Sequence, residues 1–353
     1  MEREEFENQP EQGQKKKKSG CLIFLIVVLA LVLVLLIAAA VGMNYIFGRL
    51  GRFENPTPEG ETVQMIPDEM ETDPQENVEG LESVDASDVV FETVDVLEGE
   101  MINIMLIGQD RRPGEDRARS DSMILVTLNK EKNTIQLTSF MRDLYVQIPG
   151  YMDTRLNAAY RYGGTDLMNE TFKVNFGLEI DGNVMVDFDE FTEIIEIVGG
   201  VTLEISSAEA KYMNDRSDSN GSFKAGVNYF NANDALIFTR MRYAAGGDYG
   251  RTDRQRRVIM AIAESLRDAD LVTIFNLIDQ VLPHIVTNLT DAQILEYATT
   301  GLGILGNGGQ MQTFRIPQDD AHYNANIRGM AVLVPNLEMC REDLKEFIYD
   351  NEG

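Results

Sequence analysis

The chain has 353 residues and is strongly acidic, with 58 Asp and Glu against 31 Lys and Arg and a formal net charge of -27. Such a charge argues against nucleic acid as a partner, because binding to a phosphate backbone requires a basic surface. The two cysteines, Cys21 and Cys340, are separated by an apolar segment near the N-terminus. Cys340 is the single cysteine after this segment, which predicts that the fold formed there is stable on core packing without a disulfide.

An uncharged apolar run from Cys21 to about Met43 predicts one membrane-spanning helix. Roughly 23 helical residues cross about 30 Å of hydrocarbon, and we assign residues 21–47 to the transmembrane helix. The alternative is a cleaved signal peptide, whose apolar region would be shorter and would end in a small-residue cleavage site. Cys21 precedes the run, which argues against a lipid-modified cysteine left by signal cleavage. An uncleaved anchor fits best.

Four consecutive lysines, Lys15–Lys18, stand directly before this run. Loops rich in Lys and Arg remain in the cytoplasm, so residues 1–20 are predicted to be a basic cytoplasmic tail. We therefore expect a single-pass protein of the cell membrane, with a cytoplasmic N-terminus and an extracytoplasmic C-terminal domain.

The segment after the predicted span, residues 48–96, is rich in Asp, Glu and Pro and contains few basic residues. Such a composition is typical of chains that cannot bury enough apolar surface to fold. It predicts an extended, self-repelling stalk, or simply a solvated linker. The remaining residues, 97–353, are enough for one large domain or two small ones.

Short runs of β-branched and apolar residues alternate with helical patterns in residues 97–353. Four early runs, INIMLIGQD, MILVTLN, TIQLTSF and LYVQIP, are predicted to be strands of one sheet, and Asn129–Asn133 is predicted to join the second and third. Further strands are predicted at Val201–Ile205, QTFRIP and AVLVP. The predicted helices are Thr165–Asn175, Phe188–Val198, Asn231–Thr239, Thr252–Arg267, Leu271–Ile285, Asp291–Thr300 and a last one near Arg341–Tyr349. This order predicts a single layered α-β-α domain of the α/β class with a central mixed sheet.

Charged and polar side chains recur at the ends of the predicted strands and at the start of one helix, where they would reach a cleft. For each arginine alone, a surface ion pair is the ordinary alternative. Together, planar guanidinium groups suit bidentate phosphate binding, and carboxylates among them suit a divalent cation that bridges the phosphate. The cluster predicts phosphoryl chemistry; its members are Asp110, Arg119, Asp121, Arg142, Asp143, Arg155, Arg240, Arg242, Asp248, Arg251, Arg254 and Gln255.

Arg251 and Gln255 are four residues apart and share one face of a predicted helix. We place them in its first turn, where the unpaired N–H groups and the partial positive charge of the helix N-terminus favour an anion. The segment GDYGRTDRQRRV therefore predicts an anion site.

The same residues carry a resemblance to a known family. The blocks RSDSMILVTL, SFMRDLYVQIPG, LNAAYRYGG, VDFDEF, VGGVTLEI, ALIFTRMRY and GDYGRTDRQRRV occur in this order. Together they resemble the LytR-CpsA-Psr family of cell-wall glycopolymer ligases, from about residue 97 to the C-terminus. The basic tail, the single span and the outer domain also agree with that family's layout.

The resemblance implies a phosphotransferase that moves an anionic glycopolymer, of the teichoic acid or capsule type, from undecaprenyl pyrophosphate to peptidoglycan, at a muramic acid hydroxyl. Lipid phosphate is the leaving group, and a pyrophosphatase side activity is possible. In similar proteins a Mg²⁺ ion would be held by Asp110 and Asp121, and Asp248 would be a candidate base. The residues expected around the pyrophosphate are Arg119, Arg142, Arg155, Arg240, Arg242, Arg251 and Gln255, with Arg142 and Arg251 also catalytic.

Two departures from the family pattern are visible. The family often has lysine at the position of Arg155, so the role of this residue is carried over less securely. The residue before Asp110, Gln109, replaces a commoner small residue. His284 and His322 lie outside the matching blocks and are predicted to be structural or surface groups, and Cys340 is predicted to be a small packing residue.

The apolar helices between Phe188 and Leu282 leave two interpretations open, because the same residues predict a tunnel for a polyprenyl chain or an ordinary filled core. Two other functions also remain. A hydrolase would release the polymer or phosphate to water. A non-catalytic membrane regulator or polymer-binding protein would not explain the arginine and aspartate cluster, and direct DNA binding disagrees with the acidic charge.

Overall fold

The computed structural model describes residues 51–52, 78–92, 94–97, 99, 101–109, 119–241, 246–267, 269 and 271–350. Among them, no helix has both the length and the apolar composition needed to cross a membrane. The predicted cytoplasmic tail, residues 1–20, and the predicted transmembrane helix, residues 21–47, lie outside the described residues.

A mixed seven-stranded sheet is the centre of the described part of the chain, with strand order β1-β11-β8-β3-β4-β5-β12. β3 pairs antiparallel with β4 and parallel with β8, whereas β5 pairs antiparallel with β4 and parallel with β12. The strands are β1 (Gly51–Arg52), β2 (Glu82–Ser83), β3 (Ile102–Gln109), β4 (Ser120–Asn129), β5 (Thr134–Phe140), β6 (Tyr145–Val146), β7 (Thr154–Arg155), β8 (Gly182–Asp187), β9 (Val201–Ile205), β10 (Gly226–Phe230), β11 (Val286–Thr287), β12 (Gln310–Ile316), β13 (His322–Ile327) and β14 (Met330–Pro335).

Helices cover both faces of this sheet. They are α1 (Ala158–Phe176), α2 (Phe188–Val198), α3 (Ser207–Asp215), α4 (Ala232–Arg240), α5 (Gly247–Ser265), α6 (Leu271–Val281), α7 (Asp291–Gly306) and α8 (Leu337–Lys345). On one face, α1 and α8 pack in a core with Met105 and Phe140; on the other, α7 packs on Leu128 and Ile135. The predicted α/β class, the central mixed sheet and the helical layer on each side are therefore confirmed.

The side chains of β3 alternate between the two faces, as the pleat of a strand requires. Met105 and Ile107 point into the core beneath α1, while Leu106 faces the opposite side. In the middle of the strand the side chains are apolar on both faces, because helices exclude water from both faces of the sheet. A strand of this kind is a rigid support for residues at its ends.

Two predicted elements, the helix Phe188–Val198 and the strand Val201–Ile205, have the bounds that the structure shows. The helix predicted from Thr252 instead begins at Gly247. The sequence did not predict this first turn because GGDYG contains three glycines, and glycine has a low helix propensity. The run LYVQIP contributes only the two residues of β6 to a strand.

Part of the predicted stalk is folded. β1 pairs with β11, and Arg52 contacts the Leu289 carbonyl and the Asp291 carboxylate. β2 pairs with β13, and Val84 and Phe91 are among the side chains that pack on the core of that second sheet, β14-β13-β2. The prediction of an unstructured stalk over residues 48–96 is therefore wrong for residues 51–52 and 78–92. Acidic residues dominate the composition of this segment, so its few apolar side chains give no clear sequence pattern.

Gly177 provides a test of how tightly residues 94–97 are held. Its φ is +69°, its carbonyl accepts a 2.8 Å hydrogen bond from Leu97 N, and an added Cβ would lie 2.4 Å from the Asp95 carbonyl oxygen. Gly177→Ala should therefore lower the free energy of unfolding by about 1–3 kcal/mol more than Gly150→Ala does. Gly150 is the matched control because its φ is +77° and nothing lies within 4 Å of its added Cβ. Chemical denaturation measures both, and equal losses would contradict the docking of residues 94–97.

Candidate active site

A polar cavity of about 270 Å³ opens beside the end of β3 and the start of β4. It lies on the face of the sheet that α2 and α5 cover, and it combines cationic, acidic and neutral polar groups. Its lining consists of Gly108, Asp121, Ser122, Phe188, Thr239, Arg240, Arg251 and Gln255. Four of the predicted site residues therefore meet in one cavity: Asp121, Arg240, Arg251 and Gln255.

Arg142 and Asp121 form an ion pair beside this cavity, with 2.7 Å between Nη1 of Arg142 and Oδ1 of Asp121. Only 14% of the Arg142 side chain is exposed. Burial alone would lower the pKa of its guanidinium, but the carboxylates of Asp143, Asp121 and Asp248 outweigh burial and raise that pKa. Arg142 therefore remains a fixed positive charge at any physiological pH.

Arg251 is a second buried cation, 5% exposed, with its Nη1 atom 3.2 Å from Oδ1 of Asp248. It is the fifth residue of α5, so the prediction that Arg251 and Gln255 lie in the first helical turn is wrong. The N–H groups that lack an intrahelical partner belong instead to Gly247–Tyr249. Arg251 acts on the cavity through its guanidinium and not through the helix terminus.

Gln255 and Phe188 lie where the polar cavity meets an apolar one. The Ser122 hydroxyl donates a 3.0 Å hydrogen bond to Oε1 of Gln255, which fixes the amide against β4. Arg240 lies over the ring of Phe188, with 4.4 Å from Cζ to the ring centroid. This cation–π contact orients a guanidinium and an aromatic ring at the same junction.

The apolar cavity has a volume of about 390 Å³ and lies between the sheet and helices α2 and α5. It shares Gly108, Ser122, Phe188, Thr239 and Gln255 with the polar cavity. Its walls are Leu106, Ile107, Ile124, Val184, Val186, Phe191, Ile194, Ile259, Ile262, Ala263 and Leu266, with Asp187 at the rim. The helices between Phe188 and Leu282 therefore border a cavity that continues from the charged site, instead of enclosing only a filled core.

Asp143 is a carboxylate behind the arginines, with 20% of its side chain exposed, that was noted in the sequence but not assigned a role. Its Oδ1 atom lies 3.5 Å from Nε of Arg142 and 3.9 Å from Nη1 of Arg155. Burial raises the pKa of Asp143 above the ordinary aspartate value, although Arg142 and Arg251 oppose the rise. Its position directly after Arg142 in SFMRD is the only sequence signal for it.

The other predicted site residues have different surroundings. Arg155 is 3% exposed and lies behind Arg142, where it contacts Asp143 and not the polar cavity. Arg119 immediately precedes β4 and does not line the polar cavity. Asp110 and Arg242 lie outside the described residues.

Comparison with known proteins decides the family. The model of the LytR_cpsA_psr family matches residues 67–346. The chain belongs to this family. The LytR_cpsA_psr match covers every strand of the central sheet except β1, together with both cavities and every predicted site residue.

Individual relatives agree with the family assignment. Over 231 residues, 65% of this chain and 72% of the relative, the chain is 32% identical to the polyisoprenyl-teichoic acid–peptidoglycan teichoic acid transferase TagU of Bacillus cereus. The crystal structure of Bacillus subtilis TagV superposes with a TM-score of 0.56 at 28% identity, over 71% of this chain and 98% of that one. A structure of TagT bound to LIIa-WTA, at 22% identity and a TM-score of 0.57 over 70% of this chain and 91% of that one, shows the shared fold.

The protein supplies only part of the oxygen ligands that a magnesium ion needs at this site. Within the residues described, no group of three or more His, Cys, Asp or Glu side chains is placed to hold a metal ion. Mg²⁺ is commonly held by one or two carboxylates together with substrate phosphates. The Asp121 carboxylate, 29% exposed and on the cavity wall, fits that mode of binding.

Cys340 and His322, which lie outside the matching blocks, both have structural roles. Cys340 is fully buried and burial raises the pKa of its thiol to about 12, so it is a packing residue as predicted. His322 receives a 2.6 Å hydrogen bond from the Tyr249 hydroxyl if its Nδ1–H donates to the Gln318 carbonyl, 2.8 Å away. It holds Tyr249 in place.

The polar cavity should bind a multivalent anion through Arg251. Arg251→Gln should weaken the affinity for inorganic pyrophosphate about tenfold or more, because it removes a buried charge-assisted contact. The matched control is Arg216→Gln, since Arg216 pairs with Asp218 at an exposed site and lines neither cavity. Isothermal titration of both variants measures the difference, and equal affinities would contradict the assignment of the cavity as an anion site.

Proposed function

We propose that this protein transfers an anionic glycopolymer of the teichoic acid type from a polyprenyl pyrophosphate carrier to peptidoglycan. The observation that carries the proposal is the continuity of an arginine-lined polar cavity with an apolar cavity along the sheet. A ligand that fills both must combine a polyanion with a long hydrocarbon. The name of the TagU relative, a polyisoprenyl-teichoic acid–peptidoglycan teichoic acid transferase, describes such a substrate.

The two cavities divide the donor substrate between them. The hydrocarbon chain lies against Phe191, Ile194 and Ile262, where it displaces water from apolar walls. The two phosphates lie against Arg240 and Arg251, with Arg142 behind them through its contact with Asp121. Gln255 is positioned at the junction between hydrocarbon and phosphate.

The transfer itself requires positioning and neutralisation of charge more than covalent help. An acceptor hydroxyl attacks the phosphorus atom that carries the polymer, the new O–P bond forms, and the bond to the lipid phosphate breaks. The hydroxyl proton passes to Asp248, and the lipid phosphate leaves with the bonding electron pair. Arg142 and Arg251 stabilise the charge that develops on the phosphoryl oxygens.

A magnesium ion fits this proposal as a further positive charge. Asp121, together with Asp110, would hold it, and it would neutralise the pyrophosphate. The proposal also includes the location predicted from the sequence, with the domain outside the cell membrane and anchored by residues 21–47.

Loss of either Arg142 or Arg251 should strongly reduce transfer without unfolding the protein. Arg142→Ala and Arg251→Ala should each lower kcat about a hundredfold, or about 3 kcal/mol of transition-state stabilisation. The control is Arg216→Ala, because Arg216 pairs with Asp218 at an exposed site remote from both cavities. The assay follows labelled polymer from lipid carrier to peptidoglycan, with circular dichroism as the measure of folding. Transfer at the wild-type rate in both cavity variants would refute the proposed site.

Asp121→Ala should lose activity for a different reason, namely weaker binding of the metal ion. Its transfer rate should rise when the Mg²⁺ concentration is raised about tenfold, whereas Arg142→Ala should not respond. Because removal of Asp121 also removes the partner of Arg142, the melting temperature must be compared in both variants. A transfer rate that does not depend on Mg²⁺ in either the wild type or Asp121→Ala would show that the reaction uses no metal ion.

A further inference from the structure

A further cavity of about 400 Å³, the second cavity, has a mixed polar and apolar lining and lies at the N-terminus of α5, against the sheet that contains β13 and β14. None of its lining residues lines the apolar cavity or the first polar cavity. The lining consists of Leu81, Met141, Asp143, Gly246, Gly247, Asp248, Tyr249, Asn324, Ala331, Val332 and Leu333. The second cavity is therefore distinct from the two cavities assigned to the donor substrate.

Ion pairs separate the second cavity from the first. Arg251 lines the first cavity, and its partner Asp248, 3.2 Å away, lines the second. Arg142 likewise contacts Asp121, on the wall of the first cavity, and Asp143, on the wall of the second, at 2.7 and 3.5 Å. The two cavities therefore adjoin at these ion pairs, with Arg251 and Asp121 on the wall of the first and Asp248 and Asp143 on the wall of the second.

This arrangement matches the geometry of an in-line displacement. The nucleophile and the leaving group must lie on opposite sides of the phosphorus atom. The apolar cavity, which would hold the lipid of the leaving group, shares five residues with the first polar cavity and none with the second. Asp248, the proposed base, faces the second cavity and is absent from the lining of the first.

The second cavity also has the mixed lining that a sugar ring requires. Carboxylates of Asp143 and Asp248 accept hydrogen bonds, the Asn324 amide donates and accepts, and Met141 and Val332 provide apolar surface. The first N–H groups of α5 add donors without an intrahelical partner. Tyr249, at the wall, is held by its hydrogen bond to His322 and by Arg315, whose Cζ lies 4.0 Å from the ring centroid.

We propose that the second cavity binds the acceptor, a hydroxyl-bearing sugar ring of the glycan that receives the polymer. The ring places its hydroxyl beside Asp248 and Asp143, on the side opposite the lipid and where the two cavities adjoin, so that the oxygen reaches the phosphorus. The oxygen forms the new bond to phosphorus, its proton passes to Asp248, and the bond to the lipid phosphate breaks. This inference rests on the proposed function and adds the location of the second substrate.

The test narrows the second cavity without changing a charge. Asn324→Trp places a bulky side chain in it, from an exposed position on β13. Tyr323→Trp is the matched control, because the neighbouring side chain is 51% exposed and points to the other face of the strand. The probe is a soluble disaccharide that contains muramic acid, and its binding is followed by calorimetry and by transfer assays at increasing disaccharide concentration.

We expect Asn324→Trp to raise the KM for the disaccharide about tenfold or more, with affinity for a short-chain polyprenyl pyrophosphate within about twofold of wild type. Tyr323→Trp should leave both values within about twofold. An unchanged KM for the disaccharide in Asn324→Trp would overturn the proposal, as would equal losses of both affinities. If Asn324→Trp has a lowered melting temperature, Ala331→Phe provides the second narrowing variant under the same criteria.

Failure of the proposed function gives a different result. In that case the wild-type protein would transfer no polymer to any acceptor, and donor and disaccharide binding would both be absent. If the wild type transfers polymer and Asn324→Trp behaves as the wild type does, only the proposed location of the acceptor is refuted.

Discussion

The site depends on two arginines that remain charged although their side chains are almost completely shielded from solvent. Arg142 and Arg251 are 14% and 5% exposed, and each lies within ion-pair distance of an aspartate. A buried charge is strongly unfavourable unless it is paired, so the aspartates are what permit the arginines to be there. The same pairing fixes the guanidinium groups before any substrate arrives. Preorganised charge of this kind stabilises an anionic transition state without the cost of reorganisation.

A second network of charges fixes the helix that carries Arg251. Arg254, one turn further along α5, is 2% exposed and donates a 2.5 Å hydrogen bond to the Met241 carbonyl at the end of α4. Glu209 lies 3.5 Å from Arg254 and accepts a 2.8 Å hydrogen bond from Arg257. Burial would raise the pKa of Glu209, but hydrogen bonds from Ser206 and Arg257 outweigh it and lower that pKa. The carboxylate therefore stays ionised and joins α3, α4 and α5.

This connection sets the distance between the two sources of positive charge in the polar cavity. Arg240 is the last residue of α4, directly before Met241, and Arg251 precedes Arg254 by three residues on α5. Because the Arg254 side chain binds the backbone at Met241, both helices are held where Arg240 and Arg251 face the same cavity. Arg254 therefore supports the site from behind and does not touch it.

The sequence predicted the elements whose periodicity is strong. The helix Phe188–Val198 has a marked apolar face and an Asp187 cap, and it was predicted with its observed bounds. The start of α5 was missed because glycine has a low helix propensity, although the tertiary fold imposes a helix there. The β2 segment was missed because acidic residues dominate its composition, while a few apolar side chains such as Val84 are enough to pack it on β13 and β14.

The site was only partly predictable for a related reason. Positions at strand ends indicated which charged residues approach a cleft, but a resemblance to known proteins was needed to assign their roles. Sequence did not show that Arg155 and Asp143 lie behind Arg142, since that order depends on how β6 and β7 fold back on the sheet. An apolar cavity and a filled core use the same residue types, so only the packing of α2 and α5 distinguishes them.

That packing has an energetic consequence for the ligand. The apolar cavity lies between the sheet and helices α2 and α5, and side chains of these helices that do not border it pack in a separate core with β9 and β10. This core and the Glu209 network hold the helices apart from the sheet, so apolar atoms of the walls face open space where a filled core would give them van der Waals contacts. A hydrocarbon chain that enters recovers those contacts and leaves water at the same time. Under the proposed function, this unfilled space would be the source of affinity for the lipid, and the arginines at the cavity's polar end would select its headgroup.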